Sequence, residues 1–177
     1  MVVGDGAGAG DVVARPRVPD HRRLALQACA AVAALRPFGR TVLEGGHARW
    51  FFENRKLPFF EEYPTRPPSF VLNGFMFALL GLYDLAAIAP GTQARSLYRA
   101  GRRTLLRALP LYDFDGVSSY DLTHVTDPSD EGPNIPPRDY QELHLVLLDA
   151  LDSVGLHPAL RYWRARWAEN GHRAPSR

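Results

Sequence analysis

Phenols set beside carboxylates are the main chemical resource of this sequence. The run Glu61-Glu62-Tyr63-Pro64 places two carboxylates next to a phenol, and Tyr83-Asp84, Tyr112-Asp113, Tyr120-Asp121 and Asp139-Tyr140 each set a phenol beside a carboxylate further along. A phenol with its ordinary pKa of about 10 donates a proton at neutral pH, and it serves as a base only when a nearby cation or hydrogen bonds lower that pKa. Plainer readings stand beside this one. Tyrosine is often an amphipathic core residue whose hydroxyl finds one partner, and Glu61-Glu62 reads equally as a solvated loop pair. Tyr83, Tyr98 and Tyr112 sit where packing accounts for them. Other chemistries are poorly served. Cys29 is the single cysteine, which excludes an internal disulfide and a cysteine-rich metal site. None of the six histidines has a partner at zinc spacing, so no metal is expected, and His144 reads as a surface histidine.

The elements that must position these groups are mostly helical. Residues 22–35 form an Ala/Leu-rich helix stopped by Pro37. Residues 40–44 and 48–52 flank Gly45-Gly46 as a β-hairpin, and residues 55–68 form an irregular, proline-punctuated loop. Pro68 or Ser69 opens a long helix to about Ala89. Its apolar residues point all round the axis, so it is expected to be buried on every side. Residues 92–109 follow as an amphipathic, peripheral helix with Arg95, Arg99, Arg102 and Arg103 off the apolar stripe. Residues 111–120 hold two short strands around the tight turn Asp115-Gly116, and a long loop covers 123–138. Helices over 140–154 and 157–169 complete the pattern. A buried helix followed by an amphipathic one is the alternation of inner and outer rings. The fold class is therefore mainly α: part of an (α/α) toroid built of helical hairpins, with a short β-hairpin before it and a short strand pair within it. About five helices cannot close such a ring, so the long apolar helix needs neighbours from elsewhere, and a homo-oligomer is one way to supply them.

Composition narrows the partners. The net charge is +2, with Lys56 the single lysine, so no strong polyanion field follows from the total. Arg99-Ala-Gly-Arg-Arg reads as a solvated face with no framing nucleic-acid motif, and no nucleic-acid partner is expected. No apolar stretch is long and clean enough to span a bilayer, and residues 1–20 read as a flexible tail without a signal-peptide pattern, which makes the cytoplasm the default location.

The run from Glu61 to Leu85, Glu-Glu-Tyr-Pro-Thr-Arg-Pro-Pro-Ser-Phe-Val-Leu-Asn-Gly-Phe-Met-Phe-Ala-Leu-Leu-Gly-Leu-Tyr-Asp-Leu, resembles the signature segment of the D-glucuronyl C5-epimerase family. The register continues through Ala94-Arg95-Ser96-Leu97-Tyr98, Leu109-Pro110-Leu111-Tyr112-Asp113 and Ser119-Tyr120-Asp121-Leu122, and returns at Asp139-Tyr140 and His144. The resemblance covers residues 61–151 best, within a partial C-terminal domain over 21–177. It implies a helical toroid that converts D-glucuronate to L-iduronate residues in a heparan- or heparosan-like polysaccharide, without a redox cofactor. By motif position it implies catalytic roles for Glu62, Tyr63, Tyr120 and Tyr140. The family's arginine after Tyr-Asp-Leu is replaced here by Thr123.

The implied reaction explains the residue types. The C5 hydrogen of a uronate lies α to a carboxylate, and its removal creates an enediolate carrying a second negative charge. Inverting that carbon takes a base on one face and a proton donor on the other, with fixed donors or cations on the carboxylate. Asn73 and His124 are candidates to hydrogen-bond the sugar carboxylate, and Arg138 or His124 to stand in for the missing arginine. The expected partner is an acidic, uronate-containing glycan. Two alternatives use the same residues: a truncated homologue that binds acidic glycan or assists assembly, and a lyase that expels the C4 oxygen from the same enediolate.

Overall fold

The computed structural model describes residues 48–54, 56–63, 65–127, 129 and 132–170. The helix expected over 22–35, the strand expected over 40–44, Cys29 and the N-terminal tail lie outside the described residues. The chain opens with β1 (Ala48–Trp50), which pairs antiparallel with β2 (Pro58–Phe60), Arg49 opposite Phe59. The strand beside 48–50 is therefore drawn, among the described residues, from the segment expected to be irregular. Proline is tolerated at the first residue of a strand, and Pro58 holds that position. Phe59 is fully buried and stacks on Phe75 with ring centroids 3.9 Å apart, so aromatic burial gives the strand its reason to form.

The long apolar helix is α1 (Leu72–Ile88), and it begins later than proline punctuation suggests. Phe70 has φ +52°, outside the right-handed helical region, and cannot belong to the first turn. Its ring packs edge-on against Phe51 and Phe59, and its carbonyl accepts the Tyr112 hydroxyl. Leu72, Phe75, Met76, Leu79 and Leu82 are wholly buried. Burial on every side fails at the C-terminal end, where Tyr83 and Ile88 are exposed, Ile88 by 77%. Helix α2 (Ala94–Tyr112) returns alongside α1 and runs three residues past the expected end, through Pro110. It buries Gly101, Thr104, Leu105, Ala108, Leu109 and Tyr112 and leaves its arginine-bearing face outside, as its amphipathic pattern demands. A Cβ on Gly101 would stand 2.6 Å from Leu79 and 2.8 Å from Phe60, so only glycine lets α2 approach this closely.

Strands β3 (Asp113–Phe114) and β4 (Val117–Ser118) form the expected antiparallel pair. Asp115 and Gly116 both take positive φ, the signature of a tight two-residue hairpin turn. A short helix α3 (Thr123–Thr126) stands at the start of the long loop, followed by α4 (Arg138–Val154) and α5 (Pro158–Asn170). The α4–α5 hairpin packs on the first through α1, giving, among the described residues, a mainly helical architecture with two small strand pairs.

One carboxylate ties the second hairpin to β3. Asp113 accepts bonds from Arg166 Nε at 2.9 Å and Nη2 at 2.8 Å, and from the indole N–H of buried Trp167 at 2.9 Å. Truncation orphans a buried indole donor and a paired guanidinium, so Asp113→Ala is expected to lower the unfolding free energy by about 2–4 kcal/mol in urea titrations. Asp113→Asn keeps an acceptor for Trp167 and is expected to lose clearly less.

Candidate active site

Glu61 and Glu62 are not a solvated pair. Glu61 follows β2 directly and is 4% exposed, with Oε1 lying 3.2 Å from Arg49 Nε and 3.4 Å from the Phe70 N–H it accepts. Burial pushes its carboxyl up to about 6 against the opposing pull of Arg49 and the Phe70 N–H, with the charge of Asp121 adding to the rise. Glu62 turns the other way and lies over the first turn of α1. A Cβ on Gly74 would meet Glu62 Oε2 at 2.6 Å and its Cβ at 2.7 Å, so the absent side chain makes room for this carboxylate. An acid beside a helix N-terminus is favourably placed in the field of the backbone dipoles.

The Glu62 carboxylate raises the Tyr63 phenol, first by its charge and then through their hydrogen bond, and Tyr140 adds to the rise. Tyr120 is pushed up to about 12, first by burial and then by the charges of Glu62, Tyr63, Tyr140 and Asp121. Glu62, Tyr63, Tyr120 and Tyr140, from three separate segments, thus lie within electrostatic reach of one another. No cation among the described residues pulls Tyr120 down, so Tyr63 and Tyr120 are proton donors at neutral pH.

Tyr120 is gripped by its backbone. Its N–H donates to Asn134 O at 2.7 Å, and its carbonyl accepts the Leu72 N–H at the start of α1 at 2.9 Å. The next residue, Asp121, is 6% exposed; it takes the Thr123 hydroxyl at 2.6 Å and N–H at 3.1 Å on one oxygen, and Asn134 Nδ2 at 2.9 Å on the other. Tyr140 stands in the first turn of α4 with its ring 5.6 Å from that of Tyr120, at 81°. The two rings, with Asn134, Pro136 and Pro137, line an open recess of about 210 Å³.

A buried polar cluster sets the spacing of these tyrosines. Gln141, adjacent to Tyr140, donates to Ser118 O at 2.7 Å and accepts the Ser118 N–H at 3.1 Å and hydroxyl at 2.7 Å. Ser118 Oγ also lies 2.7 Å from His144 Nδ1. Because the Ser118 hydroxyl proton goes to Gln141, His144 must donate from Nδ1, which leaves Nε2 as the lone-pair nitrogen. His144 is wholly buried, contrary to the surface position expected. It continues the buried stripe of Leu147, Leu148 and Leu151, where a helical period already placed it inside.

The remaining candidates are spread out. Asn73 lies in the first turn of α1, beside Gly74; it is 7% exposed, and its Oδ1 has no hydrogen-bond partner among the described residues. His124 sits on α3, with no described bond joining it to the tyrosines, and its Nδ1 is buried without a partner. Arg138 points along the outside of α4 and pairs with Glu142 at 2.9 Å, both side chains well exposed. Sequence reasoning missed Glu61, Ser118, Asn134 and Gln141 as parts of the site. Their neighbours Glu62, Tyr120 and Tyr140 were the available signal.

The chain matches the family model described as D-glucuronyl C5-epimerase C-terminus over residues 28–169. It is 37% identical over 150 residues to the D-glucuronyl C5-epimerase of Caenorhabditis elegans, covering 78% of this chain and 24% of that protein. It is 30% identical over 139 residues to an uncharacterised protein of Methanocaldococcus jannaschii, covering 77% of this chain and 42% of that one. The chain therefore spans less than half the length of either relative.

His144 generates a stability prediction. Burial holds its imidazole down at about 4, against an ordinary 6.5. A depressed folded pKa contributes stability that is fully present above 6.5 and lost as pH falls towards 4. Relative to a His144→Asn variant, the wild-type chain should lose roughly 3 kcal/mol of unfolding free energy between pH 6.5 and 4, as read by urea titration across that range. The contribution of Glu61, raised from 4.5 to about 6, has the opposite sign, present below 4.5 and lost above 6; it is common to both proteins and cancels in the difference.

Proposed function

Because the chain belongs to the D-glucuronyl C5-epimerase family, we propose that it inverts C5 of D-glucuronate residues in a heparosan-like polysaccharide by proton abstraction and reprotonation. The observation that carries this reading is the convergence of Glu62, Tyr63, Tyr120 and Tyr140 beside the first turn of α1. A sugar seated in the recess between Tyr120 and Tyr140 would present one face to each side of the cluster. The Glu62–Tyr63 pair takes the C5 proton on one face, with Glu62 as the final acceptor. Tyr120, held protonated by its surroundings, returns a proton on the other face, and Tyr140 closes the wall of the recess and donates to the sugar. Asn73 offers its amide to the substrate carboxylate. The two helical hairpins form, in this reading, a sector of an (α/α) toroid, with the exposed end of α1 facing the neighbours that complete it.

A second reading, a homologue that binds acidic glycan without turning it over, draws on two contacts. Thr123 spends its hydroxyl on Asp121, and Arg138 is occupied with Glu142, so neither serves the recess.

Proton–deuterium exchange at C5 of heparosan in D2O, followed by NMR, separates these readings. Tyr120→Phe and Tyr63→Phe are each expected to slow exchange by about 10²–10⁴-fold, the usual worth of a positioned acid or base. Exchange that persists in both variants overturns the roles assigned, and absence of exchange in the wild-type protein supports the binding reading. An unsaturated, ultraviolet-absorbing product would instead indicate the lyase route.

Gly74→Ala is the sharper test of Glu62. Alanine favours the helix by up to about 1 kcal/mol, yet its methyl group collides with the Glu62 side chain. The collision includes Glu62 Cβ, which moves only with its backbone, so thermal stability is expected to fall despite the gain in propensity. C5 exchange is expected to fall at least about tenfold, since a 1 Å displacement of a reacting group is enough for such a loss.

A further inference from the structure

Helix α2 carries five arginines and no acidic residue between Ala94 and Tyr112, in a chain whose net charge is only +2. One of the five is spoken for: Arg102 turns inward and donates to the carbonyls of Gly155 and Leu156 at the C-terminal end of α4. The other four, Arg95, Arg99, Arg103 and Arg107, are exposed, and none has an ion pair or hydrogen bond to a described residue. Their spacing of four residues stacks them as one ridge, each about 6 Å further along the axis and about 18 Å in all.

This arrangement is unfavourable for the helix taken alone. Like charges four residues apart repel, and Arg95 stands in the first turn, where the helix dipole disfavours a cation. No carboxylate of the described chain relieves either cost. An external polyanion relieves both, and a guanidinium fork matches a carboxylate or sulfate group better than an ammonium does.

The ridge also runs to the right place. The C-terminal end of α2 is fastened to the tyrosine cluster: Tyr112 O accepts the Ser119 N–H at 2.8 Å, one residue before Tyr120, and the Tyr112 hydroxyl donates to Phe70 O. Arg107 lies five residues earlier, about 8 Å along the axis, so the ridge leads away from the end of the helix that abuts the cluster. We propose that Arg95, Arg99, Arg103 and Arg107 form a docking track for a uronate-rich polysaccharide, which holds the chain by its carboxylates outside the site of proton transfer. The choice of glycan as occupant rests on the reaction proposed above; the charge and length of the ridge do not.

The test compares the full chain with a variant carrying Arg95→Gln, Arg99→Gln, Arg103→Gln and Arg107→Gln, substitutions that keep helix propensity and remove charge. Binding of unsulfated heparosan is measured at two salt concentrations, alongside C5 exchange on the polymer and on a short oligosaccharide. The variant is expected to bind heparosan at least about tenfold more weakly at low salt and with a shallower salt dependence. Its KM for polymer should rise in step, while exchange on the oligosaccharide stays at the wild-type rate. Equal binding by variant and wild type overturns the track. So does ridge-dependent binding of single-stranded RNA tighter than that of heparosan, which would make a nucleic acid the occupant. Ridge-dependent heparosan binding in a protein that shows no C5 exchange upholds the track and defeats the epimerase reading, so the two fail separately.

Discussion

A backbone hydrogen bond couples the start of α1 to the candidate site. The N-terminus of α1 has no side-chain cap; instead its Leu72 N–H donates to the carbonyl of Tyr120. The unpaired donors at a helix start must be met by something, and here the segment that carries the phenol meets one of them. Where α1 begins and where Tyr120 stands are therefore one fact rather than two. The same helix end also receives Glu62, because Gly74 has no side chain to exclude it. The aromatic cluster of Phe51, Phe59, Phe70 and Phe75 then anchors that helix end from beneath.

The second hairpin packs on α1 through a shared apolar core, and polar contacts fix its position at this point. Ser118 and Gln141 exchange three hydrogen bonds that imitate a strand pairing, and His144 completes the set from one turn further along α4. Buried polar groups of this kind cost a great deal if left unpaired and contribute geometric definition when paired. Their place is two residues before Tyr120 and at the residue after Tyr140, which are the two rings whose separation matters. Together with the Asp113–Arg166–Trp167 contact, they hold the hairpins in one relation through both strands at the open end of the short pair, where Asp113 faces Ser118.

Periodicity made the helices legible in the sequence: α1, α2, α4 and α5 all stand within a few residues of where apolar spacing placed them, and the Asp115-Gly116 turn stands where its residue types demanded. The misread boundaries share one cause, a tertiary contact overriding a local rule. Pro68 and Ser69 looked like a helix start, but Phe70 adopts a left-handed conformation among the aromatic rings and delays the helix to Leu72. The prolines of residues 55–68 argued for irregular chain, yet Pro58 begins a strand because Phe59 must reach Phe75. The tyrosines of the site were legible through the resemblance of the surrounding motifs, since nothing local distinguishes Tyr120 from a packing tyrosine such as Tyr112. Asn134, Ser118 and Gln141 act through partners 13 to 26 residues away, which no local pattern announces. His144 was the avoidable miss, since the helical period of its own neighbours already placed it inside.

The electrostatics of the cluster bear on how a polyanion would be handled. Every resolved influence on Tyr120 raises its pKa, and the charges nearest it belong to Glu62 and Asp121. Two guanidinium groups near the cluster's segments are engaged elsewhere: Arg49 with Glu61, and Arg138 with Glu142. On the proposed reading, the phenols are protonated when negative charge gathers, and their hydrogen bonds to a growing enediolate strengthen as that charge develops, until Tyr120 passes its proton to carbon. The described residues thus supply donors rather than cations around Tyr120, and on the proposed reading such a site gains little affinity for an acidic chain. Attraction then has to come from another surface. On the proposed reading, chemistry and capture are divided between one end and the outer face of one helical hairpin: the tyrosines gather where α1 begins, and the arginines line the outer face of α2, which ends there.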